Sequence, residues 1–340
     1  MDTTLALRVV QALLVAAAAT ALAIRYARRR RLLDQPGQRR SHSVPTARGG
    51  GIAIVAAVLG CAGPLLDIAP LPGLLLATSL ILVAAIGWWD DHAALSARAR
   101  IAVQIPAAVL LAAVLYGLVP SSPDLPASIA LLGLIVLSTV WSINLHNFMD
   151  GINGLLTLQS AYVFGMAALL GRVGLEHGLN DVPAILAAAC LGFLPFNFPR
   201  ARIFLGDVGS GALGLLIAAV LWWAALREPR WIAAGLLLVS AFAIDATATL
   251  LQRFWRGRRW YSAHREHLYQ WLVRSGGSHA RVVSYYMAWN LLLAAPLALL
   301  VATSRSVGVA AATVVLTYAA GIALWCRARR AVLAGVRRHA

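Results

Sequence analysis

Eleven apolar runs, each about the ~20 residues that a helix needs to cross the hydrocarbon core of a bilayer, occupy most of this chain. They lie near 5–24, 50–69, 72–89, 101–119, 127–147, 152–171, 182–199, 209–226, 231–250, 282–303 and 307–326. Inside lipid every backbone N–H and C=O must be satisfied internally, so serial apolar runs of this length mean serial helices. Composition agrees, being 60% hydrophobic and 12% charged with mean hydropathy +0.76, which excludes an ordinary soluble domain. The expected fold is therefore all-α and polytopic, one domain over 1–340 with ten or eleven transmembrane helices. Arg8, inside the first run, makes only a thin basic n-region and the basic cluster Arg28–Arg31 follows the run, the flanking of a retained helix rather than of a cleaved signal peptide.

Arginine supplies all 29 Lys+Arg positions, and its distribution sets the orientation. With the N-terminus periplasmic, the cytoplasmic segments are 25–49, 90–100, 148–151, 200–208, 251–281 and the tail from 327, and they hold 24 of the 29. The outer connections hold Arg172, Arg227, Arg230 and Arg305, so the C-terminus is expected in the cytoplasm. The net charge of +16 does not indicate nucleic acid, because the arginines are spread between apolar spans; membrane lipid and phosphate are better partners. Cys61, Cys190 and Cys326 all fall in apolar runs, as packed thiols do.

On this threading five of the thirteen acids, Asp90, Asp91, Asp150, Asp207 and Asp245, stand at span ends on the arginine-rich face. Carboxylates near hydrocarbon are expensive, and a set on one face is a functional-site hypothesis. Asp90-Asp91-His92, followed by Arg98 and Arg100, places two adjacent carboxylates at a helix end. They repel unless a cation holds both, and can assist a metal or take a proton; the bland alternative is a solvated cap. The run Asn144 to Gly154 crowds three Asn, one His and Asp150 between two spans, where glycines let backbone approach a ligand; it is also a turn. The run Asn197 to Gly211 sets Arg200 and Arg202 before Asp207. A carboxylate with an amide oxygen suits Mg²⁺, which keeps waters and substrate phosphates, while the arginines suit phosphate or lipid head groups.

Two histidines, His264 and His267, flank Arg265 and Glu266 in the largest extramembrane segment. On a helix they would share a face, but without a third soft ligand they suit a pyrophosphate or sugar better than zinc. The stretch Arg39 to Gly51 ends Ala47-Arg48-Gly49-Gly50-Gly51 and either seats phosphate or merely joins two helices. Asp245 has no evident partner beyond an arginine such as Arg253 on the same helix end.

In this order, the segments 39–51, Asp90-Asp91, Asn147 to Gly154, Phe204 to Ser210 and His264 to His267 resemble the polyprenyl-phosphate N-acetylhexosamine-1-phosphate transferases of glycosyltransferase family 4. The resemblance implies a bacterial inner-membrane enzyme with its active site on the cytoplasmic face. It implies transfer of a sugar phosphate from a UDP-N-acetylhexosamine to undecaprenyl phosphate, with Mg²⁺, or Mn²⁺ in its place. By that likeness Asp207, with Asn147, would bind the metal, and Asp90 and Asp91 would orient or deprotonate the lipid phosphate. Phe204 would stack on uracil and Asn153 would contact the base. Arg100, His264, Arg265 and His267 would hold diphosphate or sugar, with Asp150, Asn197 and Arg48 also lining the substrate site. A homodimer is compatible with it.

Two positions depart from the family pattern. Many members carry Asp where this chain has Asn153, and the peptidoglycan-precursor transferases carry three consecutive histidines where it reads His-Arg-Glu-His. The second departure weighs against a muramoyl-pentapeptide donor and toward the branch that initiates O-antigen and related surface polysaccharides. Donor choice is expected in 251–281, with Trp255, Trp260 and Tyr261 beside the histidines. A transporter or flippase would show repeat symmetry and midplane charges, and a CDP-alcohol phosphotransferase several Asp at helical spacing in one segment; neither pattern is found.

Overall fold

The structure, a computed structural model, describes residues 3–35, 44–61, 70–117, 119, 124–174, 181–258, 264–304 and 306–338. Trp260, Tyr261 and the Arg39 to Ser43 part of the first motif lie outside the described residues. Fourteen α-helices and one short hairpin are described. They are α1 (Thr3–Arg29), the pair β1 (Leu33–Asp34) and β2 (Thr46–Ala47), α2 (Ile52–Cys61), α3 (Pro70–His92), α4 (Ala97–Tyr116) and α5 (Leu125–Phe148). Then come α6 (Leu155–Gly174), α7 (Asp181–Asn197), α8 (Gly206–Arg227), α9 (Arg230–Leu238) and α10 (Ser240–Trp255). The last are α11 (Leu268–Arg274), α12 (His279–Trp289), α13 (Ala295–Thr303), joined to α12 by a π turn at Asn290–Ala294, and α14 (Val307–Arg338).

The chain is an all-α, multi-pass membrane protein. Eight helical spans among the described residues are long and apolar enough to cross a membrane, and nine if α9 and α10 count as one. The expected eleven runs are all helical where described, but three fall short of a straight span. The second run is described only as far as Cys61, with its helix over Ile52–Cys61, α7 is 17 residues long, and α9 and α10 meet at 71°. That bend, where a single span over 231–250 was expected, falls at Val239. The break frees backbone groups, and the Leu238 carbonyl takes the Gln159 Nε2 donor at 3.1 Å, the kind of side-chain rescue that permits broken helices in lipid. Polar caps start helices between spans: Ser96 accepts from the Ala99 amide at 3.2 Å and Asp124 from that of Ala127 at 2.9 Å.

Helix α8 is the axis of the bundle. It packs on α3, α5, α6 and α9, and 67% of its apolar window is buried, against 17% for α1 and α14 at the periphery. Small residues let it approach so closely, as is usual where lipid supplies no hydrophobic drive between helices: a Cβ on Gly214 would lie 2.7 Å from the Ile143 Cα. Large apolar side chains such as Leu137 and Leu292 face outward instead. All three cysteines are free thiols, Cys61 and Cys190 buried.

Candidate active site

The C-terminal ends of α3 and α5 and the N-terminus of α8 meet at one end of the bundle, and a β-like crossing sets the floor of the site there. Ala47 bridges Ile203 in parallel, its carbonyl accepts from the Phe204 amide at 2.8 Å, and Gly50 and Gly51 donate to Phe204 and Leu205 carbonyls at 2.9 and 2.8 Å. The glycines make the crossing possible: a Cβ on Gly51 would stand 2.1 Å from the Gly209 Cα. So close packing accounts for Gly51, and the crossing delivers Arg48 to the acids.

Arg48 Nε pairs with Asp91 Oδ1 at 2.7 Å and its Nη2 with Asp207 Oδ2 at 2.6 Å. Burial disfavours the guanidinium charge, but Asp207, Asp91, Asp90 and Asp150 together raise its pKa above the ordinary value. Two of the five aspartates singled out from the sequence thus pair with one cation, and Asp90 and Asp150 stand near enough for their charge to act on it. The Asp91 side chain is 2% exposed and takes the Asp207 and Val208 amides at 2.9 and 3.1 Å, capping the start of α8 from a neighbouring helix. Asp207 is more open, at 17%. Its other oxygen accepts from Asn147 Nδ2, which also donates to Ser210 Oγ at 2.9 Å. Ser210 was missing from the residues expected at the site, although it lies one turn along from Asp207 on the same helix.

Asp90 and Asp91, expected to act as a pair, face different partners. Asp90 accepts from the Leu95 amide at 2.5 Å and pairs with Arg100 at 3.2 Å. The repulsion of adjacent carboxylates is relieved by giving each its own arginine. Asp150 follows α5, where burial first and then the charge of Asp207 push its pKa well above the carboxylate range; Arg48 opposes this and Asp91 adds to it. Asp91 and Asp207 thus set two carboxylates against the single Arg48 guanidinium. Among the described residues no three His, Cys, Asp or Glu side chains form a metal cage. The donors present, one partly open carboxylate and an amide whose oxygen faces it when turned over, fit Mg²⁺, which takes few protein oxygens and fills the rest with water and phosphate.

Asn197 corrects one expectation. Its Oδ1 accepts from the Gly154 amide at 2.9 Å and Thr157 Oγ1 at 3.0 Å, and its Nδ2 donates to the Ile203 carbonyl at 3.0 Å, so this buried amide is spent on the scaffold. Asn153 is different: its Nδ2 donates to the Pro199 carbonyl at 3.1 Å, while its Oδ1 is buried without a protein donor. Its backbone N–H reaches His279 Nδ1 at 3.3 Å, and neither His279 nor this contact was foreseen. Phe204 is half-buried on the floor strand beside Gly50.

His264 and His267 do meet, with ring centroids 4.9 Å apart, but not on a helix, since α11 begins only at Leu268. Burial first, then the nearby His267 and Arg253, lower the His264 pKa to about 4, and burial lowers that of His267. Between them, Arg265 is followed by Glu266, which binds Arg253, Arg258 at 3.0 Å and, from α14, Arg329 at 3.9 Å. Asp245, for which only an arginine partner was expected, is held by neutral donors. It accepts from the Leu268 and Tyr269 amides (2.7 and 3.3 Å), Tyr286 hydroxyl (2.6 Å), Trp325 Nε1 (3.0 Å) and Thr249 hydroxyl (3.3 Å).

The family model described as glycosyl transferase family 4 matches residues 73–225, which include Asp90, Asp91, Asn147, Asp150 and Asp207. The chain is 33% identical over 298 residues to the decaprenyl-phosphate N-acetylglucosaminephosphotransferase of Mycobacterium tuberculosis (strain H37Rv), covering 75% of this chain and 72% of that protein. To the protein of the same description in Mycolicibacterium smegmatis it is 34% identical over 306 residues, covering 76% and 73%. A phospho-N-acetylmuramoyl-pentapeptide-transferase of Bacillus pumilus is 32% identical over 161 residues, covering 47% of this chain and 48% of that one. With Asp91, Asn147 and Asp207 brought together inside the matched segment, and Arg48 joining the two carboxylates from outside it, the chain belongs to glycosyl transferase family 4, among the polyprenyl-phosphate N-acetylhexosamine-1-phosphate transferases.

Proposed function

We propose that this protein transfers an N-acetylhexosamine 1-phosphate from a UDP-sugar to a polyprenyl phosphate at the cytoplasmic face of a bacterial inner membrane, releasing UMP and beginning a surface polysaccharide. The observation that carries this reading is the convergence of Asp91, Asp207, Asn147 and Arg48 at one end of the bundle, carboxylate and cation side by side. Mg²⁺ at Asp207 and Asn147 would neutralise the donor diphosphate and polarise the phosphorus that is attacked. An oxygen of the lipid phosphate forms the new P–O bond to the sugar-linked phosphorus, the bond to the UMP oxygen breaks, and the pair of electrons leaves on UMP. Little covalent chemistry falls to the protein, so positioning and electrostatics supply the rate.

The chain's own groups divide the work. Arg48 and Arg100 offset charge on phosphate oxygens, and Asp90, bound to Arg100, sets that guanidinium for the acceptor. The buried Asn153 Oδ1, lacking a protein donor, matches the imide N–H of uracil, and Phe204 supplies an aromatic face for the ring. Neutral His264 and His267 hold the sugar diphosphate with Arg265. The His-Arg-Glu-His run and the fuller coverage of the N-acetylglucosamine relatives favour an N-acetylhexosamine over a muramoyl-pentapeptide donor. The test is UMP release by the purified protein, using UDP-N-acetylglucosamine, other UDP-N-acetylhexosamines and UDP-N-acetylmuramoyl-pentapeptide, each with undecaprenyl or decaprenyl phosphate. Release that requires one donor, one acceptor and Mg²⁺ together is expected. Release without lipid phosphate, or only with the pentapeptide donor, would overturn the assignment.

A further inference from the structure

One buried side chain outside every sequence motif joins the two walls of the site. The Tyr269 hydroxyl donates to the Phe148 carbonyl at 2.9 Å and accepts from Gln270 Nε2 at 3.1 Å, and the residue is 1% exposed. It lies so tightly on the next turn that a Cβ at Gly151 would stand 2.1 Å from the hydroxyl oxygen. The His267 ring packs nearly parallel to Tyr269 and to Phe148, with centroids at 5.9 and 6.1 Å. Tyr269 is itself held from behind. The Asp245 carboxylate takes the first two amides of α11, those of Leu268 and Tyr269, and is fixed by Tyr286 of α12 and Trp325 of α14.

We propose that Tyr269, locked by Asp245, is a positioning residue that fixes the spacing between the His264–His267 wall and the Asn147–Asn153 turn, so that a donor must match both ends at once. The inference rests on the nucleotide-sugar reading of the site, in which Asn153 meets the base and the histidines meet the sugar diphosphate. The two segments are over a hundred residues apart in sequence, and the hydroxyl-to-carbonyl bond is where their backbones are pinned to each other. A fixed span between two groups of contacts is what makes a bound donor a near-attack conformer, and errors near 1 Å cost about a hundredfold in rate.

The test compares ligands that touch one end with ligands that touch both. Tyr269→Phe keeps the ring and deletes the hydroxyl. In nanodiscs, UMP is expected to bind this variant within about twofold of the parent, whereas UDP-N-acetylglucosamine is weakened roughly tenfold, the scale of one lost hydrogen bond. Gly151→Ala, which displaces the hydroxyl from the opposite side, is expected to give the same selective loss. Equal weakening of both ligands, or of neither, overturns the proposal. A second measurement needs no ligand: hydrogen exchange of amides 150–154 should be about fivefold faster in Tyr269→Phe, with 207–212 unchanged. Unaltered exchange in 150–154 also overturns it. If the parent protein binds neither nucleotide, the donor reading fails, and the exchange measurement still decides whether Tyr269 holds the turn.

Discussion

Asp245 and Asp207 are both carboxylates near the ends of adjoining spans, yet their surroundings differ in kind. Asp245 is 2% exposed and surrounded by five neutral donors from its own helix, α11, α12 and α14. Asp207 has an arginine and an amide, keeps part of its surface open, and shares its arginine with a second carboxylate. A buried acid whose oxygens are all used by the protein is architecture. One left with open surface and surplus negative charge is where an added cation and phosphate do the most. The same residue type therefore separates into scaffold and chemistry by counting donors.

The sharpest break of that comparison is at Asp207. Asp207→Asn should lower transfer by at least about a thousandfold, as loss of a metal ligand or a key electrostatic group does, with membrane insertion and melting temperature preserved. Near-parent turnover would return Asp207 to the scaffold. Arg48→Ala follows, with transfer reduced roughly a hundredfold, because it leaves Asp91 and Asp207 facing each other unscreened. Asn147→Ala should cost roughly 10–100-fold, the usual range for a group that orients a metal ligand. Asp245→Asn should behave oppositely. Its amide would oppose donors on either side, destabilising the fold by about 3 kcal/mol, read as a lower melting temperature in detergent. Lost activity at an unchanged melting temperature would move Asp245 into the chemistry.

The smallest effect is in pH. His264 is held at about 4 against the ordinary 6.5, by burial first and then by His267 and Arg253. A depressed folded pKa means the unfolded chain binds more protons in that window, so the contribution of His264 to stability is complete above 6.5 and lost as the pH falls toward 4. His264→Gln should flatten the fall in melting temperature over this interval. A fall equally steep in His264→Gln would assign the proton uptake elsewhere.

The apolar runs and the convergence of Asp90, Asp91, Asp150 and Asp207 were readable because both depend on period and parity: run length marks a span, and counting spans puts acids on one face. What stayed hidden depends on contacts across the chain. Arg48 reads as a loop arginine until Ala47 pairs with Ile203, and Asn197 reads as a ligand residue until Gly154, Thr157 and Ile203 use up its amide. The bend at Val239 carries no proline or glycine to announce it, and Asp245 finds its partners on three later helices. His264 and His267 meet as expected, but through an extended segment rather than by helical spacing.

The glycine crossing on the floor has a consequence for how such a site can change over generations. Gly51 meets Gly209, and Gly87 meets the Asp207 carbonyl, at separations where an added Cβ would stand 2.1 and 2.4 Å from backbone. Any side chain at Gly51 or Gly87 moves the backbone that aims Arg48 and Asp207, so drift there is paid in the chemistry itself. On the function proposed above, the opposite wall meets the donor through side chains, those of His264 and Arg265 among them, rather than through backbone packed on backbone. New donor preferences are therefore free to arise on that wall while the phosphate chemistry beneath is inherited unchanged.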